Sequence, residues 1–294
     1  MAQGKLYWLH TLSGLHVGAG TGVGFVDQPV IRERITEWPY VPGTSVKGVV
    51  AASFDVTDDS RKKQKEHAAA FGVAPSGEVG EYHQYGQAGA LVFSDARLVC
   101  LPVTSFYGTF AWVTCRLALE RLTRDLDALG VKGIPGMVPA DGVGRTATSK
   151  LVDGDKKIYL EDNSDLTVES RYSTEWAAFL AKKLFPAESR WIQIFQERFV
   201  VVPDDRFKHF GKYACEVVPR IKIDPGKKTV EKGKFWLEEL VPAEAVFAGV
   251  VWCDPAMGVR GTDSLKKYCS DRPILQFGGK ATTGRGRTQL VYSD

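Results

Sequence analysis

The hydrophobic pattern divides the chain into short strands punctuated by turn residues, with single helices between them. Residues 5–12, rich in Leu, Tyr and Trp and running into Ser13 and Gly14, predict a first strand. A stretch with glycine at 18, 20, 22 and 24 follows, where the missing Cβ lets backbone approach another surface. After a turn at Pro39, Pro42 and Gly43, Thr44 or Ser45 offers an N-cap to a buried helix over 46–54. Further strands are predicted over 89–99, 165–171, 191–202 and 245–252, and further helices over 111–129, 175–185 and 264–269. Residues 214–224 and 229–240, separated by Pro225 and Gly226, predict a β-hairpin with a charged tip. One arm carries Val217, Val218, Ile221 and Ile223, and the other Val230, Phe235 and Trp236, which makes an apolar wedge beside cations. The polar segment 55–89, with Arg61, Lys62, Lys63 and Lys65, reads as an insertion, and 133–165 as a loop-rich segment. The chain ends in strand, glycine-rich loop (278–287) and strand. This order suits an α+β fold in which one sheet is covered by helices, with a ferredoxin-like core using about a third of the chain.

Composition narrows the class. With 294 residues, 44% hydrophobic and 25% charged, the chain has the make-up of a globular protein large enough to bury a core without disulfides. No stretch of about 18 uncharged apolar residues occurs, and the N-terminus lacks the pattern of a cleaved secretion signal, so neither a membrane span nor export is expected. Five scattered cysteines without a Cys-x-x-Cys pair point to a reduced, cytoplasmic chain without structural zinc. No dinucleotide or Walker fingerprint can be laid on the glycines, which removes the main support for nicotinamide and nucleotide-hydrolysing chemistry. The net charge of +3 is too small to identify a polyanionic partner, but basic residues are locally dense over 220–234 and 278–287.

The terminal loop combines Gly278, Gly279, Gly284 and Gly286 with Lys280, Thr282, Thr283, Arg285 and Arg287. Exposed amides, hydroxyls and cations in one loop are the ingredients of a phosphate-backbone site, and four glycines exceed what a hairpin turn requires. Lys47, beside Ser45 at the predicted helix start, is either an anion ligand or a solvent-facing lysine that the position tolerates. Asp27, before Gln28 and Pro29, is by composition a turn acceptor. Placed where an RNA backbone passes, it would instead hold a divalent metal or orient a 2′-hydroxyl, with His16 eleven positions earlier in the same loop.

Four segments in this order, LHVGAGTGVGFVDQPVIRE, WPYVPGTSVKGVV, IDPGKKTVEKGKFWLEELVP and LQFGGKATTGRGR, resemble the backbone ribonuclease subunits of type III-B CRISPR (Cmr) effector complexes, within the RAMP superfamily of RNA-binding proteins. The resemblance implies a single RAMP domain: a modified ferredoxin-like (RRM-type) palm, an inserted helical finger region and a β-hairpin thumb. It implies guide RNA, complementary target RNA, further copies of the chain in a helical filament and other Cmr subunits as partners, and no membrane. Asp27 matches the family's essential aspartate, His16 a neighbouring histidine, and Glu238 or Glu239 an acidic position after the thumb. Lys47 and the 278–287 loop match parts that grip the guide; Arg32, Ser45, Arg220 and Lys222 complete the expected RNA-binding set. The implied activity is endonucleolytic, by 2′-hydroxyl attack assisted by Mg2+ or Mn2+ and leaving a 2′,3′-cyclic phosphate. Two rivals keep the fold: a subunit that binds guide RNA without cutting, and a RAMP-type endonuclease that processes precursor transcripts with histidines and no metal. A third is a scaffold without nucleic acid.

Overall fold

The computed structural model describes residues 4–20, 22, 26–54, 61–73, 86–139, 141–254 and 259–293. In chain order the first elements are β1 (Gly4–Thr11), β2 (Tyr40–Val41), α1 (Gly43–Ser53), α2 (Arg61–Phe71), β3 (Gly72–Val73), β4 (Gln87–Ala88), β5 (Leu91–Phe93), β6 (Ala96–Ser105) and β7 (Thr109–Cys115). Next come α3 (Arg116–Ala128), β8 (Val143–Arg145), β9 (Lys157–Leu160), β10 (Asn163–Glu169), α4 (Arg171–Leu184), α5 (Arg190–Arg198), β11 (Phe199–Val202) and α6 (Asp204–Tyr213). The last are β12 (Glu216–Ile223), β13 (Val230–Leu240), β14 (Val246–Cys253), α7 (Val259–Tyr268), β15 (Ile274–Gln276) and β16 (Arg287–Ser293).

Strand β1 is buried on both faces. Tyr7 and Leu9 enter one hydrophobic cluster and Leu6 and Trp8 the other, as the two-residue period of a strand requires. The sheet around it runs β16-β1-β14-β6, with every neighbour antiparallel. Val46 and Val50 of α1 and Leu265 and Tyr268 of α7 cover the first face. Leu119 and Leu122 of α3, Trp176 and Leu180 of α4, and Phe195 of α5 cover the second. The ten-residue β6 changes partners midway: Arg97, Leu98 and Cys100 pair with β14, whereas Leu101 to Ser105 pair with β7. From β7 the pairing passes through β11, β8, β10 and β9 and returns to β6 at Ser105, which closes a barrel-like sheet. The β12–β13 hairpin stands apart as its own two-stranded sheet.

Several expected elements differ. The helix placed over 111–129 begins only at Arg116, because Ala111, Val113 and Cys115 face one cluster and Trp112 the other, with strand periodicity. The strand placed over 191–202 is helix α5 followed by β11. Ser189 caps that helix by accepting the Trp191 amide. Helix α6, which no sequence element anticipated, buries Phe207 and Phe210. The segment read as loop over 133–165 contains β8, β9 and the start of β10. Helix α1 starts at Gly43, so neither Thr44 nor Ser45 caps it; the Gly43 amide is satisfied by Asp95 Oδ1 at 2.8 Å. Of the glycine-rich stretch, Gly24 lies outside the described residues, as do 55–60 and 74–85 of the expected finger insertion.

Candidate functional site

The base of the hairpin is gripped by the glycine-rich stretch. Leu15 and Val241 exchange backbone hydrogen bonds at 2.8 and 2.9 Å, the Gln28 amide donates to Leu237 at 3.0 Å, and the Glu239 amide donates to Gln28 at 2.9 Å. Asp27 is exposed at this junction. Its Oδ2 accepts the Leu237 amide at 2.8 Å, and its Oδ1 has no hydrogen-bond partner among the described residues. One oxygen therefore fixes the carboxylate against the hairpin and leaves the other available. His16 is buried, with Nδ1 2.8 Å from the Glu239 carbonyl. A carbonyl only accepts, so Nδ1 carries the proton and Nε2 of the neutral ring holds the lone pair.

The two glutamates are occupied. Glu238 is 3% exposed, and three donors meet it: Trp236 Nε1 at 2.8 Å, Lys280 Nζ at 2.9 Å and Arg220 Nε at 3.0 Å. Burial alone would raise its pKa, but the hydrogen bonds from Lys280, Trp236 and Arg220 outweigh it and hold the carboxyl down to about 2. Glu239 accepts the Val30 amide at 2.9 Å and the Arg32 guanidinium. That guanidinium also donates to the carbonyls of Glu37 and Gly211. Arg32, expected on RNA, is therefore spent inside the chain, tying the hairpin base to α6. Neither Glu238 nor Glu239, expected to share in catalysis, offers a carboxylate free of donors.

Three of the four glycines of the terminal loop answer a structural need, more than the one or two expected of a hairpin turn. Gly278, Gly284 and Gly286 have φ of 65°, 77° and 79°. A Cβ at 286 would lie 1.9 Å from the Phe277 carbonyl oxygen, and one at 278 would lie 2.2 Å from that of His16. Gly279 donates its amide to the His16 carbonyl at 2.9 Å. Lys280 is itself left-handed, at φ 69°, and its ammonium reaches Gln28 Oε1 at 2.6 Å as well as Glu238. Thr283 donates its hydroxyl to the Lys280 carbonyl, while Thr282 is exposed. Arg285, half-buried, and Arg287, exposed, form no ion pair among the described residues.

Bonds thus join Asp27, His16, Glu238, Glu239, Arg32, Arg220 and Lys280 around one hairpin base. Lys222 stands further along the hairpin, paired with Glu231 at 2.9 Å. Ser45 and Lys47 lie on α1 outside the network, both half-buried, with burial lowering the Lys47 pKa. Gln28 and Trp236 are site members that sequence reasoning did not assign there; for Gln28 the signal was its place next to Asp27. Among the described residues, no group of three or more His, Cys, Asp or Glu side chains is arranged to hold a metal, and no helix is long and apolar enough to cross a membrane.

Comparison with known proteins gives a family match. The profile of the RAMP superfamily matches residues 8–289. The CRISPR system Cmr endoribonuclease Cmr4 of Pyrococcus furiosus is 31% identical over 292 residues, covering 98% of this chain and 95% of that protein. The CRISPR system CMR subunit Cmr4 of Saccharolobus solfataricus is 24% identical over 98% of this chain and 96% of its own length. In fold, the chain resembles the crystal structure of oligomeric Cmr4 from Pyrococcus furiosus, with a TM-score of 0.76 at 23% identity over 100% of this chain and 98% of that one.

Proposed function

The chain belongs to the RAMP superfamily, and from that premise we propose that it is a backbone subunit of a type III-B CRISPR complex. In this reading it binds guide RNA and cuts complementary target RNA at regular intervals. The sheet order β16-β1-β14-β6, with α1 and α7 as crossovers, suits a ferredoxin-like palm. The β12–β13 hairpin is then the thumb and 55–89 the finger insertion of a single domain. Copies stacked along the guide, beside other Cmr subunits, each present one hairpin to the guide–target duplex. The exposed apolar side chains Val217, Ile221 and Phe235 wedge between bases, at a cost of a few kcal/mol per step offset by backbone contacts.

The observation that carries the reading is Asp27, held by the hairpin through one oxygen and open through the other. In the reaction, the 2′-oxygen attacks the adjacent phosphorus and the bond from phosphorus to the 5′-oxygen breaks. The products are a 2′,3′-cyclic phosphate and a 5′-hydroxyl; the 2′-hydroxyl loses one proton and the leaving oxygen gains one. The free Asp27 oxygen takes up the proton of the 2′-hydroxyl while water protonates the leaving 5′-oxygen, or it would hold Mg2+ or Mn2+. A single open carboxylate oxygen suits such an ion, which is often bound by one or two carboxylates together with substrate phosphates. When bound, the ion supplies neutralisation of phosphoryl charge.

The test uses a reconstituted complex with guide and complementary target. A 2′-deoxy substitution at one cut site stops cutting there and nowhere else, and EDTA stops it everywhere. Persistence in EDTA would favour the metal-free precursor-processing reading. Asp27→Asn keeps an acceptor for the Leu237 amide and removes the charge. It is expected to lower cutting at least about 100-fold with target binding retained, and a parallel loss of both would make Asp27 structural.

A further inference from the structure

The ammonium of Lys280 lies between two acceptors, Gln28 Oε1 at 2.6 Å and Glu238 Oε1 at 2.9 Å. Gln28 follows Asp27 directly, and its backbone pairs with Leu237 and Glu239 on β13. Three segments therefore meet on one cation: the strip that carries Asp27, the hairpin base whose Leu237 amide holds Asp27, and the terminal loop.

The loop gives that cation little freedom. The backbone of Lys280 is left-handed, and Gly278 and Gly286 on either side sit so close to the carbonyls of His16 and Phe277 that no Cβ fits. The Gly279 amide is bonded to His16 and the Gly286 amide to Gly14, which pins the loop to the glycine-rich stretch. Two of the three N–H groups of the ammonium are taken by Gln28 and Glu238, so Lys280 could turn fully to an RNA phosphate only by leaving a nearly buried carboxylate short of a charged donor. Arg287 on the same loop is exposed and carries no such commitment.

We infer that Lys280 is a positioning residue, which locks the Asp27 strip to the hairpin through Gln28 and Glu238, and is not a ligand of the RNA backbone. The inference rests on the nuclease reading for its effect on cutting, but its denial of a phosphate contact can be tested by binding alone.

Lys280→Met in the reconstituted complex is expected to slow single-turnover cutting about 10- to 100-fold, the scale of a small misplacement of reacting groups. The slope of log guide affinity against log salt is expected to stay unchanged. Lys280→Arg, which keeps the charge and offers donors to both acceptors, is expected to restore cutting to within about threefold. Adding Gln28→Ala to Lys280→Met slows cutting no further, because both remove one link. Unaltered cutting by Lys280→Met, or a slope reduced by about 0.7 with cutting and binding lost in step, overturns the inference. Should Lys280→Met fail to fold, Gln28→Ala alone carries the test, with slower cutting at unchanged slope expected and unchanged cutting overturning it. If the unaltered complex does not cut, the nuclease reading fails, and the slope for Lys280→Met still decides whether this ammonium touches phosphate.

Discussion

Asp27 and Glu238 are carboxylates at the same hairpin base with opposite circumstances. Asp27 is exposed and accepts one backbone amide, whereas Glu238 is buried and meets two cations and an indole N–H. Because its carboxyl is held down to about 2 in the folded chain, Glu238 stabilises the fold fully above the unfolded value of about 4.3, and that contribution is lost as pH falls toward about 2. Glu238→Gln should therefore be less stable than the parent at neutral pH, with the gap in denaturant midpoint closing as the pH is lowered through that window. A gap independent of pH would show that the donors do not sense the charge. At this scale the sequence pointed to Asp27 and His16 through a family resemblance, but it did not reveal that Lys280 and Arg220 satisfy Glu238 and that Arg32 satisfies Glu239. Lys280 lies 42 residues from Glu238 and Arg32 lies 207 from Glu239, and only the fold closes those distances.

The hairpin shows how two faces of one element divide the work. Ile221 faces Phe235 across the register, both exposed, while Arg220 faces Trp236 and both turn to Glu238. Replacing Ile221 and Phe235 by serine removes exposed apolar surface without touching the anchored face. Stability is expected to stay within about 0.5 kcal/mol per substitution. Cutting should fall at every site while guide binding holds, as measured by denaturation, cleavage and retention on the same preparations; unchanged cutting would remove the wedge from the mechanism. The hairpin was legible because period-two apolar residues and the Pro225-Gly226 turn agree. Helix α5 was not, because Ile192 and Ile194 flank Gln193 with strand-like alternation and only the Ser189 cap and the burial of Phe195 decide for helix. The reverse holds for β7, where a strand runs directly into the leucines of α3 with no intervening turn residue.

Over the whole molecule, a formal charge of +3 says little about affinity for a polyanion, and a tally of basic residues near the site overstates it. Arg32, Arg220, Lys222 and Lys280 all face carboxylates within the chain, whereas Arg285, Arg287 and Lys47 form no ion pair among the described residues. Counterion release depends on phosphates actually neutralised, so of these seven residues only the second group should add to the salt dependence of guide binding. Arg285→Gln with Arg287→Gln is expected to reduce the slope of log affinity against log salt by about 0.7 for each contact removed, with the unfolding transition little changed. Arg32→Gln is expected to do the opposite, lowering stability by about 3–5 kcal/mol through the stranded Glu239 while leaving the slope of the folded fraction intact. Equal slopes for the two variants would mean that the internal pairs open when RNA arrives, and that the hairpin base is remade rather than occupied as it stands.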